Sequence, residues 1–204
     1  MTVIIVIVTS IVSVAAFSHR ELFAKLLFNP YQVYHRKEWY RLVTHGVLHA
    51  DWMHLIVNML VLFSFGIHVE HHFAWVAEAG RIKLPALWYV AFYLLALVIS
   101  SLTTLRKHKE DVSYNSVGAS GAVSAVLFCN IFFEPHSTLL FMGVIPVKAY
   151  LFGPLYLIYS YYSARKNSGN INHDAHLLGA VFGFCFPLLI DIRLFEYFIS
   201  QLTN

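Results

Sequence analysis

Charge is scarce in this chain. Its 14 basic and 11 acidic side chains make up 12% of 204 residues, about half the roughly 25% of an ordinary soluble domain. That is too little to cover the surface of a soluble domain of this size. Disorder is excluded as well, because hydrophobic residues reach 58%, aromatics 16% and mean hydropathy +0.63. The net charge is only +3, and no basic tract interleaved with aromatics occurs, so nucleic-acid binding is set aside. Cysteine is limited to Cys129 and Cys185, both inside apolar stretches, so neither a disulfide framework nor a cysteine metal site follows. These absences leave an integral membrane protein. One abundance stands against them: 12 histidines, nearly as many as the 14 Lys plus Arg. Titratable rings are costly in an apolar protein and invite a functional question.

A helix needs about 20 mostly apolar residues to cross the hydrocarbon core. Six segments qualify or come close, at 1–17, 53–69, 84–105, 117–133, 147–162 and 175–198. The third is an uncharged run. Pro146, Lys148, Gly153 and Pro154 interrupt the start of the fifth, and the sixth is expected to end or kink near Pro187 or Asp191. Val14-Ala15-Ala16 resembles a signal-peptide cleavage site, but no Lys or Arg precedes the first apolar run, so it reads as a retained span. No repeat or separate soluble domain stands out. The expectation is one all-α membrane domain over 1–204, a bundle of six transmembrane helices.

Four polar features interrupt the apolar background. His49, His54 and Asn58 come first; His54 and Asn58 are four apart and share a helix face. Gly118-Ala119-Ser120-Gly121 opens the fourth span. His176 opens the sixth, followed by a stripe of small residues at Gly179, Ala180 and Gly183. Trp39-Tyr40-Arg41 lies in the first loop, whose Trp and Tyr favour the membrane interface, and Arg41 reads as a loop or headgroup anchor. In a six-span bundle, loops one, three and five share one membrane side. His54, Asn58, Ser120 and His176 therefore lie near one face at similar depth. A serine hydroxyl needs a neighbouring base to become a nucleophile, and histidine is the usual one. Small residues on spans four and six allow the close approach this requires. His54, Asn58 and the Ser120 N–H could supply donors to a developing oxyanion.

At these residues the sequence resembles the rhomboid intramembrane serine proteases. Trp39-Tyr40-Arg41-Leu42-Val43-Thr44 leads into a stretch from His49 through His54 to Asn58 that is similar to the family's H-x-x-x-x-H-x-x-x-N element. Gly66 and Glu70 fall where G-x-x-x-E is expected, Gly118–Gly121 resembles G-x-S-G, and Ala175–Gly183 resembles A-H-x-x-G-x-x-x-G. The resemblance implies a serine endopeptidase that cleaves transmembrane segments of membrane proteins, with Ser120 attacking and His176 as base. It implies an oxyanion hole of His54, Asn58 and the Ser120 N–H, with Gly118, Gly121, His49, Gly179 and Gly183 in support, and neither metal nor cofactor. The loop before span six would cover the site, and substrate would enter from lipid near spans two and five. The implied location is a bacterial inner membrane, with the site on the extracytoplasmic side. Three positions depart from the family pattern: Leu178 for a frequent glycine, Val47 for a common Phe, and Ser124 where an aromatic ring often packs on the histidine.

Other readings stand beside this one. Taken alone, His54 with Asn58 is equally a polar interhelical contact, Gly-Ala-Ser-Gly a packing face, and His176 a satisfied core histidine. A catalytically inactive rhomboid-like protein that binds membrane clients is the main alternative. A metal-dependent hydrolase using His45, His49 and His54 is a second, and a transporter a third, although no inverted repeat is evident. Ten of the 14 Lys and Arg lie on the odd loops and four on the even side. The positive-inside rule would place the odd loops in the cytoplasm, opposite to the orientation that the resemblance implies.

Overall fold

The computed structural model describes residues 1–141, 143–166 and 172–203. The chain is mostly helical. Helix α1 (Thr2–Ser18) is followed by three short helices, α2 (Arg20–Leu26), α3 (Pro30–His35) and α4 (Arg41–Thr44), and by a 3₁₀ turn at His45–Val47. Long helices α5 (Trp52–Glu78) and α6 (Pro85–His108) come next, then α7 (Ser120–Phe133). Strands β1 (Thr138–Phe141) and β2 (Ile145–Lys148) precede α8 (Ala149–Lys166), α9 (His173–Ile190) and α10 (Leu194–Thr203). By length and composition α5, α6 and α9 can each cross a membrane, whereas α1 and α7 are shorter apolar helices.

Helix starts follow capping chemistry. Asn29 accepts from the Gln32 N–H at 2.9 Å ahead of Pro30, which needs no N–H partner in the first turn. Asp51 caps α5 through the His54 N–H at 2.8 Å, and Asn172 caps α9 through the Ala175 N–H at 3.1 Å. Asn172 also donates to Thr104 Oγ1 at 2.8 Å, which ties the start of α9 to α6.

Helix α7 is the centre of the bundle: every residue from Gly121 to Phe133 is buried. Its small residues explain this, since Gly121, Ala122, Ser124 and Ala125 let neighbours approach its backbone. Helix α9 packs against it more extensively than any other pair of elements, and α5 and α6 flank it. Phe73, Phe92 and Phe186 join α5, α6 and α9 in one aromatic cluster. Helix α1 leans on α5, where Gly66 leaves room for Thr2, whose hydroxyl donates to Tyr89 at 2.8 Å.

The structure differs from expectation in several places. The all-α expectation gives way to a mainly helical fold with a two-stranded antiparallel ribbon, Thr138 opposite Lys148 and Phe141 opposite Ile145. Residues 147–148, expected to open the fifth span, belong to that ribbon. The end expected for the sixth segment near Pro187 or Asp191 falls at Asp191: α9 runs on through Pro187, and residues 194–198 belong to α10. Of its two readings, Arg41 is the loop anchor and not the headgroup anchor. It is buried, and its guanidinium donates to the Ala24 and Leu27 carbonyls at 3.0 and 2.8 Å and to Glu38 at 2.6 Å. That hydrogen bond holds the Glu38 carboxyl below the usual carboxylate range.

Candidate active site

Ser120 is the first residue of α7 and is half-buried. Gly118, two residues before it, has φ +118°, a conformation that L side chains rarely adopt. A Cβ at Gly118 would stand 2.6 Å from His54 Cε1 and 2.8 Å from its Nε2, so the glycine also lets the His54 ring close on the turn. His45 holds that turn from behind. Its carbonyl accepts from the Gly118 N–H at 3.0 Å, and its Nδ1 donates to the Gly118 carbonyl at 3.2 Å. The Ser101 hydroxyl of α6 lies 3.1 Å from His45 Nε2. Burial pushes the His45 imidazole down to about 4, so the ring is neutral. With the proton on Nδ1, its Nε2 is left as an acceptor, and the single Ser101 hydroxyl proton is shared between that nitrogen at 3.1 Å and the Leu97 carbonyl at 2.9 Å.

His54 lies in the first turn of α5. The Ala50 N–H points to its Nδ1 at 3.4 Å, which leaves the ring proton on Nε2, the atom facing Gly118. One turn on, Asn58 is buried, and one N–H of its amide donates to the His54 carbonyl at 2.8 Å. The second amide N–H is free of that bond. His49 is fully buried, and its ring meets that of His54 edge to face with centroids 4.9 Å apart. Ser13 of α1 gives its proton to the Val47 carbonyl at 2.8 Å, so His49 Nδ1 must donate to Ser13 Oγ across 2.9 Å. Desolvation lowers His49 to about 3.

The partner helix α9 approaches through glycine. A Cβ on Gly179 would collide with the Gly121 carbonyl, and one on Gly183 with the Ala125 carbonyl. A Cβ on Gly121 would lie 3.3 Å from the Ala175 carbonyl and against Ser100 of α6. The turn carrying His176 thus lies beside the turn carrying Ser120. Their side chains are not hydrogen-bonded to each other, and the His176 ring meets His173 edge-on at 6.1 Å. Ser124, which departs from the family pattern, is 2.8 Å from the Tyr156 hydroxyl of α8. The three rings of the metal-hydrolase reading turn to separate partners: His45 to Gly118 and Ser101, His49 to Ser13, His54 to Ala50 and Gly118. Residues 167–171 of the loop expected to cover the site lie outside the described residues.

Reasoning from sequence missed several contributors. Asp51 was legible as an N-cap before an apolar run. Ser13, Ser101 and Tyr156 were not, because each meets its partner across more than thirty residues of chain.

A mainly helical membrane domain, with a serine opening its central helix and a histidine on the helix packed against it, is the class that this fold and site define. A Rhomboid domain matches residues 36–192, and the chain belongs to the rhomboid family. It is 31% identical over 143 residues to RHOMBOID-like protein 12, mitochondrial, of Arabidopsis thaliana, covering 68% of this chain and 43% of that protein. It is 29% identical over 151 residues to Rhomboid protein 1, mitochondrial, of Saccharomyces cerevisiae, covering 70% and 39%. It is 28% identical over 145 residues to Rhomboid protease GluP of Bacillus subtilis, covering 71% and 25%. The matches thus span well under half of each relative. Family and apolar helices together make this an integral membrane protein. Two of the three relatives are mitochondrial by name, so a bacterial inner membrane, expected from the sequence, finds no support.

Proposed function

We propose that this chain is an intramembrane serine endopeptidase that cleaves transmembrane segments of membrane proteins through a Ser120–His176 dyad. The observation that carries the reading is the junction of α7 with α9. There the Gly121 and Gly179 backbones touch, and the turns bearing Ser120 and His176 lie side by side beneath the His54 ring. Six helices, α1 and α5 to α9, form the membrane domain, with the site at the end where the first, third and fifth connections lie.

In this mechanism Ser120 Oγ attacks the scissile carbonyl carbon while His176 takes its proton. The oxygen that becomes negative is held by His54 Nε2–H, Asn58 Nδ2–H and the Ser120 N–H, each donor worth on the order of 3 kcal/mol. His176 returns the proton to the leaving amine as the C–N bond breaks. Water then attacks the acyl-serine, His176 again accepting the proton, and Ser120 is released. Gly118 and Gly121 keep the nucleophile open, Gly179 and Gly183 keep α9 close, and His49 braces His54. No metal or cofactor enters these steps. Helix α7 is about 21 Å long at 1.5 Å per residue, shorter than a hydrocarbon core of about 30 Å. Ser120 can therefore start below the membrane surface, level with a substrate's peptide bond. Substrate enters from the lipid beside α5 and α8.

One observation favours a second reading, an inactive family member that binds membrane clients: Ser120 and His176 share no hydrogen bond. Two experiments separate the readings. Purified protein in liposomes is offered a panel of single-span substrates, and Ser120 is probed with a fluorophosphonate. Cleavage and labelling by the wild type, both lost in Ser120→Ala, support the protease. A folded wild type that neither cleaves nor labels supports the client binder, and cleavage retained in Ser120→Ala excludes the dyad.

A further inference from the structure

Helix α10 is strongly amphipathic, and it lies across the ends of other helices rather than along them. Near its start, the Tyr197 ring is 4.9 Å from Trp75 of α5. In its middle, Phe198 is 5.2 Å from both Phe132 of α7 and Phe184 of α9. At its far end, the Leu202 carbonyl accepts from His136 Nε2 at 3.2 Å, beyond the end of α7. Ten residues make a rod of about 15 Å, enough to cross these helices at their shared end. That end is opposite Ser120, because α9 separates His176 at its start from α10 at its finish.

The surface of α10 divides into three stripes at helical spacing. Leu194, Tyr197, Phe198 and Gln201 face the bundle and are buried or half-buried. Glu196, Ser200 and Thr203 form an exposed polar stripe. Phe195, Ile199 and Leu202 form a third stripe, apolar yet 50, 40 and 39% exposed, and Ile192, in the turn before the helix, is 71% exposed. The third stripe continues the outward face of α9, where Leu189 is 70% exposed on a helix able to span a membrane. A helix with one flank apolar and the other polar belongs at the boundary between acyl chains and water. Trp75 and Tyr197 beside it are residues enriched at that level.

We propose that α10 is an in-plane interfacial helix. It seats Phe195, Ile199 and Leu202 among the acyl chains of the leaflet opposite the Ser120 end, with Glu196, Ser200 and Thr203 in water. The bilayer is the occupant of the apolar stripe because that stripe is continuous with the lipid-facing side of α9 and borders a polar one. This placement does not depend on the protease reading.

The test uses the full chain carrying Cys185→Ser, since Cys129 is buried. Single cysteines at 195, 199, 202, 196, 200 and 203 carry nitroxides in phosphatidylcholine–phosphatidylglycerol vesicles. All six positions are exposed, so labelling leaves the fold intact, which unchanged thermal unfolding checks. The ratio of collision with oxygen, which partitions into lipid, to collision with a water-soluble nickel chelate is expected to be several-fold higher at 195, 199 and 202 than at 196, 200 and 203. Equal ratios on the two stripes would overturn the proposal. So would shielding of 195, 199 and 202 from both reagents with dipolar broadening between labels, which would show a second copy on the stripe.

Discussion

Gly179 places its α-carbon against the backbone carbonyl of Gly121, so closely that a methyl group has no room there. The obstacle is backbone, which cannot rotate aside as a side chain can. Gly179→Ala must therefore push α9 away from α7. Overpacking of this kind costs about 1–3 kcal/mol. Thermal unfolding in detergent is expected to fall accordingly, and substrate cleavage to fall further, because the displaced helix carries His176. Val181→Ala, on the same helix but facing outward, should change stability by less than about 0.5 kcal/mol. Equal stability of the two variants would mean that the α7–α9 contact is not set by these glycines.

The proposed oxyanion donors make a second, kinetic prediction. In the proposed mechanism His54→Ala and Asn58→Ala each remove a donor that acts only when charge develops. Each should lower kcat by about 10²–10³-fold and leave KM nearly unchanged. Steady-state cleavage of a single-span substrate measures both. A change confined to KM would place these residues in substrate binding instead.

Much of this arrangement can be read from composition and spacing. Hydropathy marks the helical segments, and the parity of connections places Ser120, His54 and the start of α9 at one end. What escapes is whatever depends on a partner distant in sequence or on competition between local and tertiary forces. A break near Pro187 or Asp191 is legible, but that it falls at Asp191 depends on the Asp191 side chain, which accepts from the Arg193 N–H and pairs with Arg81. Arg41 resembles a headgroup anchor because two aromatics precede it, yet the carbonyls that bury it lie 14 and 17 residues earlier. Ser124 shows no partner in the sequence because its partner is Tyr156 on another helix.

Two buried neutral histidines outside the spanning helices set a pH dependence. His45 is held down to about 4 and His49 to about 3, both by desolvation, against about 6.5 for an unperturbed imidazole. Between these values and about 6.5 the unfolded chain binds more protons than the folded one, so stability rises with pH. The stabilisation is fully present above about pH 6.5 and is lost as pH falls toward about 4. Thermal unfolding in detergent from about pH 7 to about pH 4 should show this decline. His45→Gln should flatten it by removing one of the two groups. An unchanged slope in that variant would mean that His45 is solvated.

Asp51 is the remaining lever on the site, and it acts through a backbone bond. Its carboxylate accepts from the His54 N–H at 2.8 Å, so the cap of α5 and the backbone position of His54 share one interaction. Asp51→Ala removes the cap, which typically costs about 1 kcal/mol. It also lets the first turn fray, and that is the turn whose imidazole faces Gly118. Thermal stability should drop modestly while kcat drops more, since a donor displaced by an ångström no longer meets the oxyanion. Asp51→Asn keeps an oxygen acceptor of the same shape and is expected to retain both stability and cleavage. If Asn fails where Ala fails, the negative charge of Asp51 matters rather than its cap, and the His54 ring is held electrostatically instead of by the helix start.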